Sequence, residues 1–138
     1  MKISAHVLNS HENHQVLLKS DGNAHSISIQ PKSSGFGSST NGGELLFLAL
    51  ATCYCNDIYR EAARSEIKIR EVAVEVEGNF YEEGKPAGNV TYRAKVIGEA
   101  SEEALKELVK HTDKVAEIQN TLRVETPVTL SNIEVVSV

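Results

Sequence analysis

Apolar and polar residues alternate along the first third of the chain. Three short runs show this period of two, with turn residues such as Asp21-Gly22 between them. The apolar members of these runs are Ile3, Ala5, Val7, Val16, Leu18, Ile27 and Ile29. Such alternation predicts three antiparallel strands in a meander with one face in water. Residues 31–43 are rich in Pro, Ser, Gly, Thr and Asn, which predicts a connecting loop.

The pattern changes to that of a helix near Asn41. Asn41 is a good N-cap residue, and Glu44 stands three residues later, at the spacing of a capping box. A run of helix formers follows, which predicts a helix from about Gly43 to Arg64. The first half of this segment is apolar nearly all round, so we expect it to be buried on most sides. Charged residues enter only in the second half: Asp57, Arg60, Glu61 and Arg64.

Alternation returns in the second half of the chain. Residues 72–76 and 90–96 alternate on either side of a Gly- and Pro-containing turn, which predicts a long hairpin with charges on its outer face. Ser101, followed by two glutamates, predicts the start of a second helix. Residues 124–138 alternate again and predict a closing strand. The order βββ-α-ββ-α-β, with strands grouped together, predicts a single α+β domain over residues 1–138.

Composition narrows the classes of function. With 138 residues, of which 41% are hydrophobic, the chain is long and apolar enough to bury a core. The net charge of -5 and the lack of a basic cluster argue against nucleic acid and anionic membranes as partners. The N-terminus lacks the apolar core of a signal peptide, and the apolar stretch Leu45 to Thr52 is too short to span a bilayer. We therefore expect a cytoplasmic protein.

The two cysteines are the residues best suited to chemistry. Cys53 lies about nine residues into the predicted helix, beyond the first turn where the helix dipole would activate it. Arg60 is the only cation near its face, about 10 Å away along the axis, whereas Asp57 would raise the pKa of the thiol. Cys55 points to another side of the helix and would pair with Cys53 only if the helix unwound. The alternative interpretation is that both thiols simply pack the core.

The histidines give a weaker signal. His11, Glu12 and His14 form a compact group of metal-binding side chains, but such a group between two strands is more typical of a solvated turn than of a zinc site. We therefore expect neither a metal nor a cofactor.

The segment Asn41 to Cys53, with the sequence NGGELLFLALATC, closely resembles the central-helix motif of the OsmC/Ohr family of osmotically inducible and organic hydroperoxide resistance proteins. In this register Glu44 matches the glutamate at the helix start, and Cys53 matches the peroxidatic cysteine. The resemblance extends over nearly the whole chain, including Asn120 and Thr126-Pro127. It implies an intertwined homodimer in which two central helices pack on antiparallel sheets.

The resemblance also implies a reaction cycle. In the family, a thiolate attacks a peroxide and becomes a sulfenic acid, which a second cysteine after the second helix resolves. Here Ala116 takes the place of that cysteine, while Asn120 is retained. The family's activating arginine precedes the central helix, but no arginine precedes Arg60 in this chain. Lys19 and Lys32 are the candidate replacements, and the chain resembles a divergent member that lacks the second cysteine.

Three functions remain open at this stage. The first is a one-cysteine peroxidase that acts on small organic hydroperoxides in oxidative-stress defence and uses an external thiol as reductant. Its catalytic residues would be Cys53 and Glu44, with Cys55, Arg60 and Asn120 as accessory residues. The second is a non-enzymatic protein that binds a small hydrophobic ligand at the dimer interface. The third is a structural dimer that serves a protein partner.

Overall fold

In the computed structural model, which describes residues 1–138, the N-terminal residues form a three-stranded antiparallel sheet. Its strands are β1 (Ile3–Ser10), β2 (Asn13–Ser20) and β3 (Asn23–Ile27), in that order across the sheet. Asp21 and Gly22 both have positive φ, at 47° and 85°, as a two-residue hairpin turn of type I′ requires. The predicted meander is confirmed, with a third strand that ends at Ile27.

Helix α1 spans Gly42–Arg64, within one residue of the predicted bounds. Asn41 and Glu44 form a reciprocal cap. The Glu44 amide donates to Asn41 Oδ1 at 2.9 Å, and Asn41 Nδ2 donates to Glu44 Oε1 at 2.6 Å. These bonds pair one of the amides that the first turn of a helix leaves without a partner.

Burial along α1 differs from the prediction. Leu48, in the apolar first half, is 60% exposed. The buried positions lie further along: Leu50, Tyr54, Asp57, Ile58, Glu61 and Ala62. The prediction that the first half is covered on most sides is therefore wrong for a single chain, because the elements that pack on α1 from Phe47 onwards cover one face only.

Contacts between residues divide the chain into two compact units, residues 1–46 and residues 47–138. In the second unit, β4 (Lys68–Asn79) and β5 (Gly88–Glu99) form the predicted long hairpin. Its inner face packs against a buried cluster formed by Tyr54, Ile58, Ala62, Leu108 and Ala116. Its outer face carries opposite charges on facing positions, as in the pair Arg93 and Glu75. Such cross-strand pairs favour the observed register.

Two helices follow the hairpin. Helix α2 spans Glu102–Val115, and Ser101 caps it by accepting a hydrogen bond from the Ala104 amide at 3.1 Å. Helix α3 spans Glu117–Arg123 and begins after a single residue, Ala116, whose extended backbone and fully buried side chain turn the chain. This turn places the first residue of α3 beside α1.

The predicted closing strand at residues 124–138 is wrong. These residues form neither a helix nor a strand, and their apolar side chains are exposed, at 99% for Val128 and 87% for Val135. A strand needs a neighbour to complete its hydrogen bonds, and no strand of this chain pairs with the segment. The element order is therefore βββ-α-ββ-α-α. No helix combines the length and apolar character needed to cross a membrane.

Candidate functional site

Cys53 lies where α1 meets the start of α3. Asp57 follows it by one helical turn on the same face, and Cys53 Sγ donates to Asp57 Oδ2 at 3.4 Å. Glu117, the first residue of α3, brings its Oε2 to 4.0 Å from the same sulfur. Two carboxylates from different helices therefore flank one thiol.

Arg60 binds both carboxylates on the side away from the sulfur. Its Nη1 lies 2.8 Å from Asp57 Oδ1 and 3.1 Å from Glu117 Oε1. Each carboxylate thus gives one oxygen to the guanidinium and turns the other toward Cys53. The arginine neutralises the carboxylates, but it forms no hydrogen bond with the thiol.

The surroundings raise the pKa of Cys53. Burial is the largest cause, and the hydrogen bond to Asp57 and the charges of Asp57 and Glu117 act in the same direction. The backbone N–H of Ile118 opposes them by lowering the thiol pKa. The resting group is therefore a protonated thiol that donates to a carboxylate.

The pKa values of the two carboxyl groups are shifted in opposite directions. Burial raises the pKa of Asp57, and the charge of Glu117 adds to this, although Cys53 and Arg60 oppose it. The pKa of Glu117 is lowered, first by a backbone hydrogen bond at its own amide and then by Arg60. Asp57 is thereby the better proton acceptor and donor near neutral pH, while Glu117 remains a fixed negative charge.

A sulfur and two carboxylate oxygens are also ligands that divalent metals accept. The ligand atoms of Cys53, Asp57 and Glu117 lie within 4.8 Å of one another. Arg60, however, already supplies positive charge between the two carboxylates. We therefore interpret the cluster as proton-transfer machinery.

The other residues singled out in the sequence lie elsewhere. Glu44 is an exposed capping residue nine positions before Cys53, or about 13 Å along the helix axis. Asn120 donates to the Lys114 carbonyl at 3.0 Å and accepts from Arg123, so it joins the ends of α2 and α3. The ring of His11 packs edge-on against Phe36.

The second thiol faces a separate cavity. Cys55 is half-buried and lines a space of about 250 Å³ together with Ala51, Thr52, Asn56 and Val74. It makes no hydrogen bond with the Cys53 cluster. Of the five predicted site residues, the structure therefore brings together Cys53 and Arg60 only.

Sequence reasoning missed Glu117 as a site residue and considered Asp57 only as an unfavourable charge. The i, i+4 spacing of Cys53 and Asp57 was a usable signal for a thiol and a carboxylate on one helical face. Glu117 gave no such signal, because it lies 64 residues away and reaches the thiol only through the turn at Ala116.

Known proteins show which family this arrangement belongs to. The family model for OsmC-like proteins matches residues 35–131, which is more than half of the chain. No curated protein matches the sequence significantly.

Solved structures share the fold at low sequence identity. An OsmC-like protein from Mycoplasma pneumoniae is 21% identical, with a TM-score of 0.61 over 91% of this chain and 88% of that chain. A hypothetical protein from Aquifex aeolicus VF5 is 17% identical, with a TM-score of 0.66 over 91% and 90%. An organic hydroperoxide resistance protein from Elizabethkingia anophelis, with bound thiocyanate, is 22% identical, with a TM-score of 0.57 over 91% and 90%. These likenesses confirm the predicted α+β fold, and the family match shows that the chain belongs to the OsmC-like protein family.

Proposed function

We propose that the protein is a one-cysteine peroxidase that reduces small organic hydroperoxides, in the cytoplasm, as part of oxidative-stress defence. The observation that carries this proposal is the hydrogen bond from Cys53 to Asp57, a carboxyl whose pKa is raised and whose second oxygen is held by Arg60. Family membership and the fold shared with hydroperoxide resistance proteins support it.

The geometry supports a proton-coupled attack. As the sulfur of Cys53 attacks the terminal oxygen of the hydroperoxide, its proton passes to Asp57, and the Ile118 N–H stabilises the charge that develops on sulfur. The O–O bond breaks, and the departing alkoxide takes the proton from Asp57. Sulfur is oxidised to a sulfenic acid, the peroxide is reduced to an alcohol, and the carboxylate is restored.

An external thiol closes the cycle in this proposal. Ala116 stands where the family places a resolving cysteine, and Cys55 lies in a separate cavity. One external thiol would displace the hydroxyl of the sulfenic acid as water and form a mixed disulfide. A second would release Cys53 and leave as half of a disulfide.

Stopped-flow mixing of the reduced protein with cumene hydroperoxide tests the activity. We expect consumption of the peroxide well above that of free cysteine at equal thiol concentration and pH. Free cysteine is the matched control because it has a thiol but no organised proton carrier. A rate no higher than that of free cysteine would refute the proposal.

A second candidate function is the binding of a small hydrophobic ligand. The raised pKa of Cys53 favours it, because a protonated thiol is a poor nucleophile and a useful apolar wall. In both functions we propose a homodimer, since exposed apolar side chains on α1 and in residues 124–138 need a cover.

Native mass spectrometry of freshly purified protein tests the dimer and the ligand together. We expect a dimer as the main species, because a second copy would cover Leu48 and supply a pairing edge for residues 124–138. A co-purified hydrophobic molecule would favour the binding function. Monomer alone at micromolar concentration would contradict the proposed assembly, and an empty protein that fatty acids do not stabilise would argue against ligand binding.

A further inference from the structure

A chain of charged groups leads from the Cys53 site along α1 to Glu61. Glu61 is only 4% exposed, yet its carboxylate accepts hydrogen bonds from two arginines. Its Oε1 lies 2.8 Å from Arg60 Nε and 2.9 Å from Arg64 Nη1, and its Oε2 lies 3.1 Å from His111 Nε2. Glu61 makes no hydrogen bond with Cys53, Asp57 or Glu117, so it can affect the thiol only indirectly.

Arg60 connects Glu61 with that site. Its Nε binds Glu61, while its Nη1 binds Asp57 and Glu117. The guanidinium is planar, so fixing one edge on Glu61 also fixes the direction in which the other edge points. The Arg60 side chain is 34% exposed, which leaves it room to swing into water if one anchor is lost.

We propose that Glu61 is a positioning residue for the Cys53 site, which acts through Arg60 by holding the guanidinium between Asp57 and Glu117. Its catalytic meaning rests on the proposed peroxidase function. While Arg60 is held there, its charge stays close to the carboxylates that flank the thiol and offsets part of their repulsion of a forming thiolate. Without Glu61, the guanidinium spends time in water and the repulsion grows.

A double-mutant cycle tests this inference in the full-length protein. Glu61→Gln and Arg60→Gln are made singly and together in a Cys55→Ser background, and the pH midpoint of Cys53 alkylation by iodoacetamide is measured. The titratable or charged groups that face Cys53 are Asp57, Arg60 and Glu117. Those that face Glu61 are Arg60, Arg64 and His111.

We expect Glu61→Gln to raise the midpoint by about 0.5 pH unit, or about threefold in rate at pH 8, as for one partly screened charge several ångströms away. In the Arg60→Gln background the same change should have no further effect, because the connection is already broken. Arg64→Gln is the matched control, since it removes a partner of Glu61 that touches neither Asp57 nor Glu117. It should leave the midpoint unchanged.

An equal shift with and without Arg60, or no shift on loss of Glu61, would overturn the inference. If Glu61→Gln does not fold, Glu61→Asp carries the same cycle, because it withdraws the carboxylate by one methylene while keeping its charge. Alkylation needs no peroxide, so the cycle is informative even if the protein reduces none. An additive cycle in a protein that does reduce cumene hydroperoxide would refute the role of Glu61 alone.

Discussion

Replacement of Asp57 by asparagine is expected to slow the reduction of cumene hydroperoxide about a hundredfold at pH 7, the lower end of the range for a lost general acid–base group. The amide can neither take the thiol proton nor return it to the departing alkoxide. The same change should lower the pKa of Cys53, because it removes a hydrogen-bond acceptor and a negative charge that both raise it. The measurement is the peroxide rate beside the pH midpoint of alkylation by iodoacetamide.

The two readouts separate a proton carrier from a mere charge. Iodide leaves without a proton, so alkylation reports the thiolate alone. If Asp57 acted only through its charge, Asp57→Asn would raise the thiolate fraction and speed both reactions. Glu117→Gln is the matched control, since it removes a neighbouring charge whose lowered pKa makes it a poor proton carrier. It should lower the alkylation midpoint without slowing peroxide reduction.

Replacement of Cys53 by serine is expected to reduce peroxide consumption to the level of the buffer, whereas Cys55→Ser should retain most of the activity. A serine hydroxyl at Cys53 cannot take up the peroxide oxygen as sulfur does. Cys55 lies two residues further along α1, faces the cavity beside Val74 and has no carboxylate partner. The same stopped-flow assay measures both variants, with far-ultraviolet circular dichroism as the folding control.

The pair of variants excludes two other accounts. Equal activity in Cys53→Ser and the parent protein would place the chemistry outside this thiol. Loss of activity in Cys55→Ser, with the fold retained, would indicate that Cys55 takes part in the cycle. The latter would mean that α1 opens locally, because the two thiols face different sides of the helix.

Local signals predicted most of the fold. The Asn41 and Glu44 cap, the Asp21-Gly22 turn and the alternation in β4 and β5 each act over a few residues, so their patterns can be read directly from the sequence. Residues 124–138 show the limit of such patterns. Alternation predicts a strand, but a strand also needs a partner, and no strand within one chain pairs with these residues.

The site was predicted less completely because it depends on contacts distant in sequence. Family resemblance identified Cys53, but it also selected Glu44, which caps the helix start. Arg60 was expected about 10 Å from Cys53 along the axis, and its long side chain reaches back to Asp57. Glu117 joins them only because α2 ends at Val115 and the single residue Ala116 redirects the chain.

The central claim is that peroxide oxygen is transferred to the sulfur of Cys53. Its most direct test is to treat the reduced protein with one equivalent of cumene hydroperoxide in the presence of dimedone, and then to map the adduct by peptide mass spectrometry. The account predicts one sulfenic-acid adduct, located on Cys53 and strongly diminished in Asp57→Asn at pH 7. An unmodified Cys53 after the peroxide has been consumed, or an adduct confined to Cys55, would contradict it.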